Sequence, residues 1–188
     1  LFVSLHEAGK AGGLFLSSGI AGRPDRVMAK MIATAEILRG RHRFRGYIHM
    51  KILPGSSQAV VERAAQLSDR ISINLEAPGP GHLERIAREK DFLKELLPQT
   101  GWIQQAVADP RTRAKSHTTQ FVVGASGESD REILEWTNWL YKGRGLNRAY
   151  YSAYEVPDED TRLEAPPTRL MREHRLYQSD FLLRKYGF

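Results

Sequence analysis

The sequence contains no cysteine, so none of its 188 residues can form a disulfide bond, act as a catalytic thiol or bind zinc through a thiolate. The same absence excludes an iron–sulfur cluster held by this chain alone. Long apolar runs are also missing, because no stretch approaches the roughly 18 residues that a membrane span requires. The first residues lack the charged-then-apolar layout of a signal peptide. We therefore expect a soluble, cytoplasmic chain with no membrane partner.

The composition that is present is that of an ordinary globular domain, with 41% apolar and 27% charged residues. A chain of this length buries roughly 70% of the surface that its unfolded state exposes. We therefore expect one core that spans residues 1–188 and needs no covalent staples.

The positive charge is concentrated in one stretch. Residues 20–51 contain eight Lys or Arg and two acids, a difference equal to the net charge of +6. Its densest part contains Arg39, Arg41, Arg43 and Arg45. These arginines would suit the phosphates of a nucleic acid. The alternative is a helix end, whose last carbonyls favour cations, followed by a solvated loop.

Short β-branched runs alternate with stretches of helical periodicity. The predicted strands are 13–18, 46–52, 71–76, 119–125 and 148–154. The predicted helices are 24–39, 57–68, 81–97, 128–142 and 168–186, with the tail of an earlier helix at 1–10. Residues 98–118 are predicted to be a helix-containing insertion or a long loop, and 155–167 an exposed connection to a C-terminal helix that packs on the core. The strand spacing suits right-handed βαβ crossovers and therefore predicts an α/β protein with a parallel sheet.

The predicted strands have one apolar and one polar face. Ile48, Met50 and Ile52 alternate with His49 and Lys51. Strands covered by helices on both faces are apolar almost throughout. The alternation therefore favours a curved sheet or barrel around a polar ligand, although a solvated face or misplaced strands would also explain it.

Ligands of α/β barrels bind at the C-terminal ends of the strands. Small or polar residues follow the predicted strands there: Ser17, Ser18, Gly19, Lys51, Asn74, Glu76, Gly124 and Glu128. The pair Asn74 and Glu76 has the strongest local case. A strand would place both side chains on one face about 6–7 Å apart, which is the scale of a ribose.

Six segments, taken in order, resemble radical S-adenosylmethionine enzymes. They are Gly13–Gly19, Arg45–Lys51, Ile73–Glu76, Val122–Asp130, Tyr150–Tyr154 and Arg172–Gln178. Within that family the sequence is most similar to proteins grouped under DNA modification or repair that carry a helix-hairpin-helix tail. The resemblance implies a partial (β/α)6 TIM-like barrel whose first strand is missing.

The resemblance also implies a cofactor and its contacts. Ser17, Ser18 and Gly19 occupy the place of a Gly-Gly-Glu-like turn on the methionine amino group, although the acid is absent. Asn74 and Glu76 match a motif that contacts ribose and methionine. Gly124 and Glu128 match a strand that flanks the adenine of S-adenosylmethionine.

The largest departure from the family is the missing Cys-x3-Cys-x2-Cys loop, which holds a [4Fe–4S] cluster there. We interpret the sequence as a fragment that lacks the cluster segment and the tail; a degenerate homologue is the alternative. The full-length protein would then hold the cluster, use an electron donor and act on nucleic acid or its precursors. A non-catalytic barrel that binds a nucleotide or nucleic acid through 39–45 is the second hypothesis. The 188 residues alone should be catalytically inert, and their exposed edge strand is a place for another chain to pair.

Overall fold

A computed structural model describes residues 1–19, 21–155 and 167–187. The helices are α1 (Phe2–Glu7), α2 (Pro24–Arg39), α3 (Gln58–Leu67), α4 (Pro80–Ile86), α5 (Leu97–Ala108), α6 (Asp130–Arg144) and α7 (Leu170–Tyr186), and a π-helical turn spans Phe92–Leu96. The strands are β1 (Gly13–Leu16), β2 (Tyr47–Lys51), β3 (Arg70–Ser72), β4 (Ser116–Val123) and β5 (Arg148–Ala153).

The five strands form one parallel sheet, and their order in the sheet follows their order in the chain. Helices separate the successive strands, as right-handed crossovers between parallel strands require. The predicted α/β class with a parallel sheet is confirmed. Strand β1 lies at one end of the strand order, and its pairing with another chain stays a prediction.

The chain divides into two compact units. Unit 1 comprises 1–73 and 98–117, and unit 2 comprises 74–97 and 118–188. The prediction of one core across the whole chain stays a prediction.

Unit 1 is built on strands β1 to β3. Helix α2 starts at Pro24, whose fixed φ and missing N–H suit the first helical position. Its apolar stripe buries Met28 and Ala35, and Ile48 and Met50 of β2 are fully buried. Residues Tyr47, His49 and Lys51 are less buried. The predicted alternation along β2 is therefore confirmed, since one face of the strand is packed and the other is not.

Unit 2 contains β4 from Thr118 onward, together with α6, β5 and α7. Ser129 caps α6 and forms a capping box with Glu132, the arrangement typical of a Ser-x-x-Glu sequence. Helix α7 packs on α6 and β5. It does so through Leu176 and Asp180, whereas Phe181 and other apolar residues near its end are exposed. The buried face of α7 is narrower than the aromatic spacing indicated.

Two predicted elements differ most in extent from the structure. The strand predicted at 71–76 ends at Ser72. Further on, Glu76 has a left-handed φ of 65° and forms an isolated bridge to Phe121. The helix predicted at 81–97 stops at Ile86. Chain direction then changes, and Asp91 caps the next turn by accepting hydrogen bonds from the N–H groups of Leu93 and Lys94.

The insertion predicted at 98–118 contains most of α5 and also the start of β4 at Ser116, which the prediction placed later. Most of the connection predicted at 155–167 lies outside the described residues. No helix in the described ranges is both long and apolar enough to cross a bilayer.

Candidate functional site

Asn74 and Glu76 lie in unit 2, in the irregular segment that follows β3. Glu76 is fixed by its backbone: its N–H donates to the Gln120 carbonyl at 2.9 Å, and its carbonyl accepts from the Val122 N–H at 2.8 Å. Between the two polar residues, the fully buried Leu75 donates its N–H to Thr119 Oγ1 at 3.1 Å. The segment is therefore anchored to β4 although it is not a regular strand.

The two side chains form a polar cluster with Gln120 and Lys90, which we call the Asn74 cluster. Lys90 Nζ lies 3.1 Å from Glu76 Oε1, and both side chains are 16% exposed. The Asn74 amide nitrogen is 3.5 Å from Glu76 Oε2 and 3.4 Å from Gln120 Oε1. Hydrogen bonds of that length are at the weak limit, so the amide and carboxylate groups keep capacity for a ligand.

Gly124 and Glu128 are joined in one tight turn after β4. The Glu128 carboxylate, whose side chain is 0% exposed, accepts hydrogen bonds from the N–H groups of Gly124 and Ser126 and from Ser126 Oγ. Arg172 approaches the same carboxylate at 3.6 Å and donates to the Glu128 carbonyl at 2.7 Å. These contacts give Glu128 a role in holding the turn, because its oxygens already have partners.

Gly124 is required by its surroundings. Its φ is 91°, and a Cβ built at this position would overlap Thr168 Oγ1 and lie 3.2 Å from an Arg172 nitrogen. Thr168 is held there by its N–H, which donates to the Tyr154 carbonyl at 2.8 Å. The close approach expected for Gly124 is thus to the chain's own residues.

The remaining cofactor candidates, Ser17, Ser18, Gly19 and Lys51, lie in unit 1. The first three form an exposed loop directly after β1, where Ser18 Oγ donates to the Gly19 carbonyl. Lys51 is the last residue of β2 and is half-buried. Because Leu16 pairs with Met50, the register of the two strands brings Ser17 level with Lys51.

The basic stretch separates into one structural and three exposed arginines. Arg39 is 13% exposed at its side chain and pairs with Asp69 at 2.8 Å. It also donates to three backbone carbonyls, those of Leu67, Phe44 and Gly46. Arg41, Arg43 and Arg45 are exposed. Arg39 thus closes the loop that follows α2, and four of its five guanidinium N–H donors already have acceptors within the chain.

Two residues of the Asn74 cluster were missed at the sequence level. Lys90 was assigned to the interior of a long helix, and Gln120 was not among the candidate site residues. One available signal was the Asp91-x-x-x-Glu95 spacing: Asp91 caps the π-helical turn, and its N–H donates back to Glu95 at 3.2 Å. That N-cap would have separated Lys90 from the following helix.

An iron–sulfur cluster does not fit the residues of this chain. The sequence has no cysteine, and the described ranges contain no group of three His, Asp or Glu side chains that could hold a metal ion. The Asn74 cluster, in contrast, has the carboxylate and amide groups that bind ribose hydroxyls and an ammonium group.

Comparison with known proteins gives a fold and no family. No family model matches the sequence, and no curated protein matches it. Among solved structures, the chain is similar to a domain of pyruvate-formate lyase-activating enzyme from Bacteroides vulgatus, with a TM-score of 0.58 and 12% sequence identity. The similarity covers 95% of this chain and 96% of that domain. The two chains share a fold.

Proposed function

We propose that this chain is the S-adenosylmethionine-binding core of a radical S-adenosylmethionine enzyme. The observation that carries the proposal is the Asn74 cluster, in which a carboxylate and two side-chain amides are brought together after β3 and beside β4. The position agrees with the general rule that α/β folds bind ligands at the C-terminal ends of parallel strands. The fold similarity adds support, because the neighbouring domain comes from a radical S-adenosylmethionine enzyme.

In this proposal Glu76 accepts hydrogen bonds from the ribose hydroxyls, as an acidic residue does in many nucleotide sites. Asn74 donates to or accepts from the same sugar. Lys90 holds the Oε1 atom of the Glu76 carboxylate in place. The other carboxylate oxygen, Oε2, has a 3.5 Å contact with the Asn74 amide nitrogen. Ser17, Ser18, Gly19, Gly124 and Glu128 stay predicted contacts or supports of the cofactor.

Reductive cleavage of S-adenosylmethionine in this family relies on an iron–sulfur cluster, whose thiolate ligands this chain lacks. We therefore assign binding, and no chemical step, to these residues. The 188-residue chain should leave S-adenosylmethionine intact under reducing, anaerobic conditions with iron and sulfide supplied. Release of 5′-deoxyadenosine by this chain would contradict that expectation.

Calorimetric titration with S-adenosylmethionine tests the binding proposal. Glu76→Ala should weaken binding by about 1–3 kcal/mol, the scale of a lost hydrogen bond to a charged group. Glu84→Ala is the matched control, because Glu84 is an exposed glutamate of α4 in the same unit. Equal affinities for the two variants, or no binding by the unaltered chain, would overturn the proposal.

We further propose that the target of the enzyme is nucleic acid or its precursors, contacted by Arg41, Arg43 and Arg45. The supporting observation is that all three are exposed within five residues. The same observation supports the second candidate, a non-catalytic barrel that binds nucleic acid. The two candidates differ in what Glu76→Ala changes. In the first, the variant should weaken binding of S-adenosylmethionine and leave binding of nucleic acid unchanged. In the second, there is no binding of S-adenosylmethionine to lose.

Salt dependence of duplex DNA binding tests the role of the three arginines. Replacing all three with Gln should flatten the slope of log affinity against log salt by about 0.9 for each phosphate that the variant no longer neutralises. A control variant replaces the exposed residues Arg26, Arg88 and Arg175 with Gln and removes the same charge elsewhere. An equal change in slope for both variants would contradict a site at this loop.

A further inference from the structure

One face of unit 1 carries two rows of side chains across its three strands. Parallel pairing sets Phe15, His49 and Arg70 side by side in one row, and Lys51 beside Ser72 in the next. The opposite face of the same strands holds Ile48, Met50 and Ile71, which are fully buried. The rows lie on the other face, where Phe15 is exposed, His49, Lys51 and Arg70 are half-buried and Ser72 is buried.

The first row presents an aromatic surface. Phe15 is 57% exposed, and its ring centroid lies 4.6 Å from that of His49. His49 Nε2 lies 2.8 Å from Ser72 Oγ, which fixes the orientation of the imidazole. Burial, reinforced by Arg70 and Lys51, lowers the pKa of His49 to about 4, so the ring is neutral at physiological pH. An aromatic pair with one exposed ring, Phe15, and one oriented, half-buried ring, His49, is suited to stacking on a flat ligand.

The same face carries cationic groups whose charge is not balanced locally. Arg70 Nε donates to Ser116 Oγ at 3.0 Å, and its guanidinium lies 5.9 Å from the Tyr47 ring centroid. Lys51 is half-buried. In the described part of the chain, no carboxylate forms an ion pair with either group, and the nearby Asp69 is already paired with Arg39 and Arg113. Partly buried cations are stabilised by a counter-ion, so this face is prepared for an anion.

We infer that this face binds an organic anion carried on a planar ring, with the ring against Phe15 and His49 and the anionic group at Lys51. Adjacent strands lie about 4.8 Å apart and alternate residues about 7 Å apart, so the grid matches a single ring with one phosphate or carboxylate. In the proposed enzyme this ligand would be the substrate, and to that extent the inference rests on the proposed function. It assigns Lys51 to this anion instead of to S-adenosylmethionine.

Calorimetric titrations with four probes test the inference. Adenosine monophosphate and benzoate each combine a planar ring with an anion, adenosine has only the ring, and inorganic phosphate has only the anion. At least one of the two ring-bearing anions should bind about tenfold or more tightly than adenosine and phosphate, since it combines the ring contact with charge-assisted hydrogen bonds. The ring-bearing anion that binds identifies phosphate or carboxylate as the recognised group. Failure of both ring-bearing anions to bind would overturn the inference.

Two variants locate the site. Lys51→Gln and Phe15→Leu should each weaken binding of the anion by about tenfold. Lys30→Gln and Phe181→Leu are matched controls at exposed helical positions, and they should leave the affinity unchanged. Unchanged affinity in both test variants, each verified as folded by circular dichroism, would contradict the inference.

Saturating S-adenosylmethionine should not displace the anion, and Lys51→Gln should not alter the affinity for S-adenosylmethionine. Displacement would overturn the assignment of a separate ligand. Binding of S-adenosylmethionine without binding of either anion refutes this inference alone. Binding of an anion without binding of S-adenosylmethionine refutes the proposed function and supports the anion site.

Discussion

Arg39 should be essential for the stability of unit 1, whereas its neighbour Arg41 should be dispensable. The Arg39 guanidinium donates four hydrogen bonds, at 2.7–3.0 Å, to three backbone carbonyls and Asp69. Its planar fork reaches all four acceptors at once, which a lysine ammonium cannot do. Arg41, two residues later, is exposed.

The expected magnitude follows from these hydrogen bonds. Arg39→Ala removes three hydrogen bonds to backbone carbonyls, each worth about 1 kcal/mol. It also removes one partner of a partly buried ion pair. The free energy of unfolding should therefore fall by about 3–5 kcal/mol in total. Asp69 keeps Arg113 and the Ile48 N–H, which limits the penalty. Arg39→Lys should lie between Arg39→Ala and the unaltered chain, and Arg41→Ala should stay within about 0.5 kcal/mol of it.

Thermal and urea denaturation measure the difference. For a chain of this size, a destabilisation of about 4 kcal/mol corresponds to a decrease in Tm of about 8–16 °C. Arg41→Ala provides the control for the removal of a positive charge from the same loop. If Arg39→Ala and Arg41→Ala shift the Tm equally, the hydrogen bonds of Arg39 do not stabilise the unit as argued.

Three further predictions concern other parts of the chain. Glu128→Gln should reduce the free energy of unfolding by about 1–3 kcal/mol, because the side chain at 128 then has one acceptor oxygen fewer for the buried turn. An equal effect of Asp130→Asn, at an exposed position, would contradict this. Gly124→Ala should be more destabilising than Gly9→Ala, since both have positive φ but only Gly124 would place a Cβ against other atoms; equal urea midpoints would refute the steric argument. Stability should fall as the pH drops from about 6.5 towards 4, because the pKa of His49 in the folded chain is lowered to about 4 and the unfolded chain therefore binds the proton first. His49→Gln should remove up to about 3 kcal/mol of that dependence, and an unchanged pH profile would contradict the assignment.

Local sequence signals predicted the elements whose limits depend on neighbouring residues. Helix α2 has the predicted bounds because Pro24 starts it and Gly40 follows its last residue. The start of α6 was close to the predicted one because Ser129 and Glu132 form a capping box. The alternation along β2 followed from the period of a half-buried strand.

Features that depend on distant contacts were not predicted. Arg39 was grouped with exposed arginines because its partner Asp69 lies thirty residues away. The end of β3 at Ser72 could not be derived from its alternating pattern, because Leu75 and Glu76 take their hydrogen bonds from β4. For the same reason Lys90, which completes the candidate site through Glu76, was assigned to a helix interior.

The location of bound S-adenosylmethionine tests the central claim most directly. Nuclear Overhauser effects between the ribose protons of S-adenosylmethionine and the side-chain amide protons of Asn74 can be measured in the isotopically labelled chain. We predict such effects to Asn74, and we predict that Glu76→Ala reduces them at the same ligand concentration. Saturable binding whose ribose contacts lie only on other residues, with none to Asn74, would contradict the claim.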